Sequence, residues 1–152
     1  MGVYLNPGND KFYKAINSEI YVDKTGLIQY TNRVFNTMQQ NVCVSRPRRF
    51  GKSMTANMLA AYYSRGCQSE KLFEEFKIAK DPSFRQHLNR YNVFFMNMQE
   101  FLSRSKTVEK MILRISQLLM RDLKQEYPDI AYFDETDLAE SMQDVYQHTG
   151  CP

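Results

Sequence analysis

The chain has 152 residues, 43% of them hydrophobic, and a formal charge of +3. That length supports one ordinary core. No apolar run approaches the roughly 18 residues of a membrane span, and none near the start suits a leader, so a soluble, cytoplasmic protein without a membrane partner is expected.

Three scattered cysteines and two histidines exclude a disulfide framework and a zinc site. Cys43, between Val42 and Val44, is expected to be a small buried apolar residue. The charge is unevenly spread: residues 1–121 hold 19 Lys and Arg against 9 Asp and Glu, whereas 122–152 hold 1 against 8. A basic body suits nucleotide phosphates or a nucleic-acid backbone. Residues 122–152 read as an acidic C-terminal segment of the same domain, since no Pro/Gly/Ser linker divides residues 1–152.

In chain order, Phe12 to Ile16 predicts a short helix and Ile20 to Val22 a short strand. Asp23 is placed to cap a helix carrying Leu27, Ile28 and Phe35, which should stop near Asn36. Asn41 to Ser45 is a β-branched run, and Lys52 to Ser64 sets Met54, Met58, Leu59 and Tyr62 at helical spacing with Gly66 beyond. Ser69 and Pro82 open two further short helices, and Asn92 to Met98 predicts a second core strand. Thr107 to Glu126 carries a broad apolar stripe ended by Pro128, and Asp137 with Glu140 resembles a capping box before a last helix. The alternation predicts an α/β layer.

The chemistry concentrates in "VCVSRPRRFGKSM". A phosphate cradle needs converging backbone N–H groups, a helix N-terminus, a cation for the outer phosphates and a hydroxyl for Mg²⁺. Gly51 allows close backbone approach, Lys52 would bridge the β- and γ-phosphates, and Ser53 would ligate Mg²⁺. Met54 adds a first-turn amide. The signature G-x-x-x-x-G-K-[ST] is met only in its second half, because Arg46 stands at the first glycine position. Pro47 removes a donor from the turn, while Arg48 and Arg49 add cationic ones or point outward.

"SRPRRFGKS", together with "YVDKT" upstream, "GNDKFYKAI", "KLFEEFKI" and "YNVFFMNM", resembles the AAA-ATPase-like family of bacterial proteins, whose members carry a variant phosphate loop of this form. The resemblance implies a P-loop NTPase-like three-layer fold, here incomplete: the N-terminal part of a parallel sheet with flanking helices. It implies ATP and Mg²⁺ as cofactors, with Arg46, Arg48, Arg49, Gly51, Lys52, Ser53 and Met54 at the nucleotide. Tyr21, Asp23, Lys24 and Thr25 match the upstream motif and would shape the base or ribose side of the pocket.

Hydrolysis requires a metal-holding acid on a neighbouring strand and a group that orients water. "VFFMNMQE" ends without such an acid except Glu100, and Asp134 in "IAYFDE" reads as a turn residue. Family members place the acidic strand later and often add a nuclease-like domain, so the chain is expected to be an N-terminal portion that binds ATP without turning it over unaided. Nucleic-acid contact would then come through that further region, and an uncovered sheet edge would favour association with itself or another chain. Two rival readings stand beside this one. In the first, Arg46, Arg48, Arg49 and Lys52 bind a nucleic-acid backbone; in the second, the chain is an interaction fragment with a vestigial loop.

Overall fold

The computed structural model describes residues 2–152 as two compact units, Gly8–Tyr91 and a second made of residues 2–7 with Asn92–Pro152. In the first unit, α1 (Asp10–Ile16), α2 (Gly26–Val34) and α3 (Lys52–Tyr63) are followed by α4 (Glu70–Phe73), a 3₁₀ turn (Lys77–Lys80) and α5 (Phe84–His87). Its core joins Phe12, Ile28, Met58, Tyr62, Phe73, Ile78 and Phe84. The rings of Phe12 and Phe73 stack at 4.7 Å between centroids. Asn32, buried on α2, donates to the hydroxyl of Tyr62 at 3.0 Å and to Ser83 Oγ at 2.9 Å, and accepts from the Tyr63 hydroxyl at 2.6 Å. These bonds tie α2 to α3 and to the entry of α5 while leaving no polar atom of that amide unpaired.

The second unit holds α6 (Met98–Arg104), α7 (Val108–Glu126) and α8 (Leu138–Thr149), and α7 and α8 build a core with Leu5 from Met120, Leu123 and Val145. α7 begins as expected, with the Thr107 hydroxyl accepting from the Lys110 amide at 3.3 Å. Asp137 caps α8 by accepting from the amides of Ala139 and Glu140. Asp122 of α7 is buried and holds the segment at Tyr4 and Leu5, accepting from their amides at 2.7 and 3.3 Å.

Among the described residues the expected parallel sheet is absent, which corrects the α/β three-layer fold. Among the described residues, strand-type pairing is confined to two isolated bridges, Leu5 with Phe94 (antiparallel) and Ser64 with Tyr91 (parallel). The Val- and Phe-rich segment after Asn92 finds its partner in the N-terminal residues: Asn6 N donates to Val93 O and Phe95 N to Tyr4 O, both at 2.8 Å. Ile20 to Val22 and Asn41 to Ser45 form no strand, and residues 38–50 are exposed throughout. A β-branched run becomes a strand only where neighbouring backbone completes its hydrogen bonds and side chains cover its faces. Here Val42 and Val44 remain 38% and 45% exposed. Cys43 is likewise exposed rather than buried, and Cys67 is the buried cysteine.

Candidate functional site

The loop that precedes α3 is held by its own backbone. Gly51 caps α3 in the left-handed region, φ 74° and ψ 25°, and its carbonyl accepts the first helical bond from the Thr55 amide at 2.9 Å. Arg49, two residues earlier, is also left-handed at φ 68°. The amides of Lys52, Ser53 and Met54 precede the first intrahelical bond and lie at the positive end of the helix. Lys52 folds back over the loop, its ammonium donating to the carbonyl of Arg46 and, at 3.1 Å, to that of Pro47.

Cations cluster at this turn. None of the ion pairs among the described residues engages Arg46, Arg48, Arg49, Lys52 or Lys24. Such a cluster attracts an anion.

Beside the loop lies a cavity of about 310 Å³ lined by Tyr21, Lys24, Arg49, Phe50, Gly51 and Met54, with Ile20, Val22, Thr55 and Met58 completing its wall. It is cationic at the turn and apolar beyond it. A larger cavity of about 580 Å³ runs along α2 and is lined by Gln29, Arg33, Asp81 and His87 among others, sharing no residue with the loop. Burial and the Arg90 charge hold the His87 imidazole below its ordinary pKa.

The upstream motif divides in two. Tyr21 and Lys24 line the loop cavity, whereas Asp23 and Thr25 bind each other and the 3₁₀ turn. Asp23 accepts from the Thr25 amide at 2.8 Å, the Thr25 hydroxyl at 2.7 Å and the Lys77 amide at 3.1 Å. Thr25 in turn accepts from the Ile78 amide at 3.2 Å. Burial pushes the Asp23 carboxyl up, but these hydrogen bonds and the Lys77 charge outweigh it and hold the group below its ordinary range. The Tyr21 hydroxyl is pushed up by burial and by the Asp23 charge. Asp23 does not cap α2, whose N-cap is Thr25.

Ser53 stands exposed in the first turn of α3, and Met54 is 41% exposed at the cavity. Asp134 closes a turn of the second unit by accepting from the amide and hydroxyl of Thr136. Sequence reading did not single out Ile20, Val22, Phe50 and Met58 as wall residues. The legible sign was Phe50, an aromatic residue set between Arg48–Arg49 and Gly51–Lys52.

The family model described as Predicted AAA-ATPase, of the AAA-ATPase-like family, matches residues 8–151. No curated protein and no solved structure matches the chain.

Proposed function

The chain belongs to the AAA-ATPase-like family, and from that premise we propose that it binds ATP with Mg²⁺ at the turn before α3. The observation that carries this reading is the junction itself: a left-handed Gly51 at the start of a helix, with Lys52 drawn over the loop carbonyls of Arg46 and Pro47. Lys52 leaves those carbonyls for the outer phosphates, and the amides of Lys52, Ser53 and Met54 take the inner ones. The apolar part of the adjoining cavity, with Tyr21, Phe50 and Met54, receives the base.

The donor set suits the metal in part. The Ser53 hydroxyl is the side-chain oxygen that the first turn of α3 offers, the remaining ligands coming from phosphate and water, as Mg²⁺ accepts. Mg²⁺ would neutralise phosphate charge there. Arg46, Arg48 and Arg49 add charge around the phosphates, and no residue of this chain is assigned to orient water.

The test is the unfolding midpoint with and without Mg-ATP, on the wild type and on Lys52→Ala. A ligand at a hundred times its Kd adds about 2.7 kcal/mol to the folded state, so the wild-type midpoint should rise and the Lys52→Ala midpoint should not. The same loop cations suit a nucleic-acid backbone. Salt-sensitive DNA binding that ATP does not compete, with no midpoint shift, would favour that reading instead.

A further inference from the structure

The stretch Asp23–Lys24–Thr25 sends its side chains to two destinations. Asp23 and Thr25 are tied to the amides of Lys77 and Ile78, so the backbone around Lys24 is fixed to the 3₁₀ turn. Thr25 is wholly buried. Lys24 extends to the loop, where its ammonium donates to the carbonyl of Phe50 at 2.9 Å. The same nitrogen lies 2.6 Å from where a Cβ on Gly51 would stand.

An ammonium carries three donors. One is engaged by Phe50 O, and among the described residues no other partner is recorded for it. Lys24 also lines the loop cavity beside Arg49 and Gly51. Two lysines therefore lean on the carbonyls of one loop, Lys52 at Arg46 and Pro47 and Lys24 at Phe50.

Resting on the nucleotide reading above, we propose that Lys24 is a second phosphate-binding cation of this site, delivered to Gly51 by the Asp23–Thr25 clip. It meets the anion from the Gly51 side of the loop and Lys52 meets it from the Arg46 side. The upstream motif then has a division of labour: two residues hold the backbone and the one between them carries the charge. The missing first glycine matters less when a cation from outside the loop supplies part of the attraction.

The experiment measures Mg-ATP affinity at several salt concentrations on the wild type, Lys24→Met, Lys24→Gln, Lys24→Arg and Lys52→Ala, with the melting of each variant recorded. Glutamine keeps a donor for Phe50 O without the charge. Loss of a charged phosphate contact should weaken binding about tenfold in the Met and Gln variants and flatten the dependence of affinity on salt, with Arg restoring most of both.

Unchanged affinity in Lys24→Met or Lys24→Gln, while Lys52→Ala loses binding, overturns the proposal and leaves the nucleotide site standing. Weaker binding with an unchanged salt dependence also overturns it, since Lys24 would then only position the loop. A wild type that binds no Mg-ATP at any salt concentration removes the underlying reading, and the Lys24 role with it.

Discussion

Lys24 and Phe50 are joined across 26 residues of chain by one hydrogen bond, from the lysine ammonium to the phenylalanine carbonyl. The contact passes directly over Gly51. The conformation of the turn before α3 is therefore shared between the loop and a motif that precedes α2.

Gly51→Ala should be costly for two separable reasons. A left-handed φ of 74° costs a residue with a Cβ about 1 to 2 kcal/mol, and the added methyl would stand 2.6 Å from the Lys24 ammonium, a flexible tip that swings aside at the smaller cost of its bond to Phe50 O. Adding Lys24→Ala should remove the second cost and leave the first. Denaturant unfolding of the two single variants and the double variant measures this, and strictly additive losses would show that the contact carries no energy.

Thr25→Val should destabilise the first unit by about 1 to 3 kcal/mol, because the buried Ile78 amide loses its acceptor and Asp23 loses a hydroxyl donor. The substitution keeps the volume of the side chain. Chemical denaturation of the variant reads the loss directly, and an unchanged midpoint would mean that the clip is ornamental to stability.

Asp122 supplies a pH dependence. Burial pushes its carboxyl up, but the amides of Tyr4 and Leu5 and the Arg121 guanidinium outweigh burial and hold it below the ordinary range. A depressed carboxylate contributes stability that is present above its unfolded pKa of about 4. That contribution is lost as pH falls through the lower, folded value. Asp122→Ala should cost about 2 to 3 kcal/mol at neutral pH and flatten the acid limb of the stability curve. Urea midpoints between pH 2 and pH 7, compared with the wild type, test both parts.

The three cysteines should differ in reactivity toward an aromatic disulfide reagent. Cys43 is exposed and should label at once in the folded protein, Cys67 is buried and should label only on unfolding, and Cys151 should fall between them. Mass-resolved labelling separates the three. Burial also pushes the Cys67 thiol up, which slows it further. Rapid labelling of Cys67 with protection of Cys43 would show that residues 41–45 are covered.

The sequence by itself determined the elements whose signals are local. α7 with its apolar stripe, α8 with its Asp137 cap, and α3 opening at Lys52 follow from periodicity and capping chemistry within a few residues of chain. The place of Gly51 immediately before that helix was likewise legible from the order Gly51, Lys52, Ser53.

Tertiary structure decided the rest. Asn41 to Ser45 and Ile20 to Val22 have the composition of strands, but a strand exists only if other backbone pairs with it, and no local pattern states whether that backbone is supplied. The segment after Asn92 paired with residues 4–6, a choice made by contacts nearly ninety positions apart. The division of Asp23–Lys24–Thr25 into two anchoring residues and one reaching cation was decided in the same way. A sequence lists donors and acceptors, and only the fold assigns Lys77 and Ile78 to one pair and Phe50 to the residue between them.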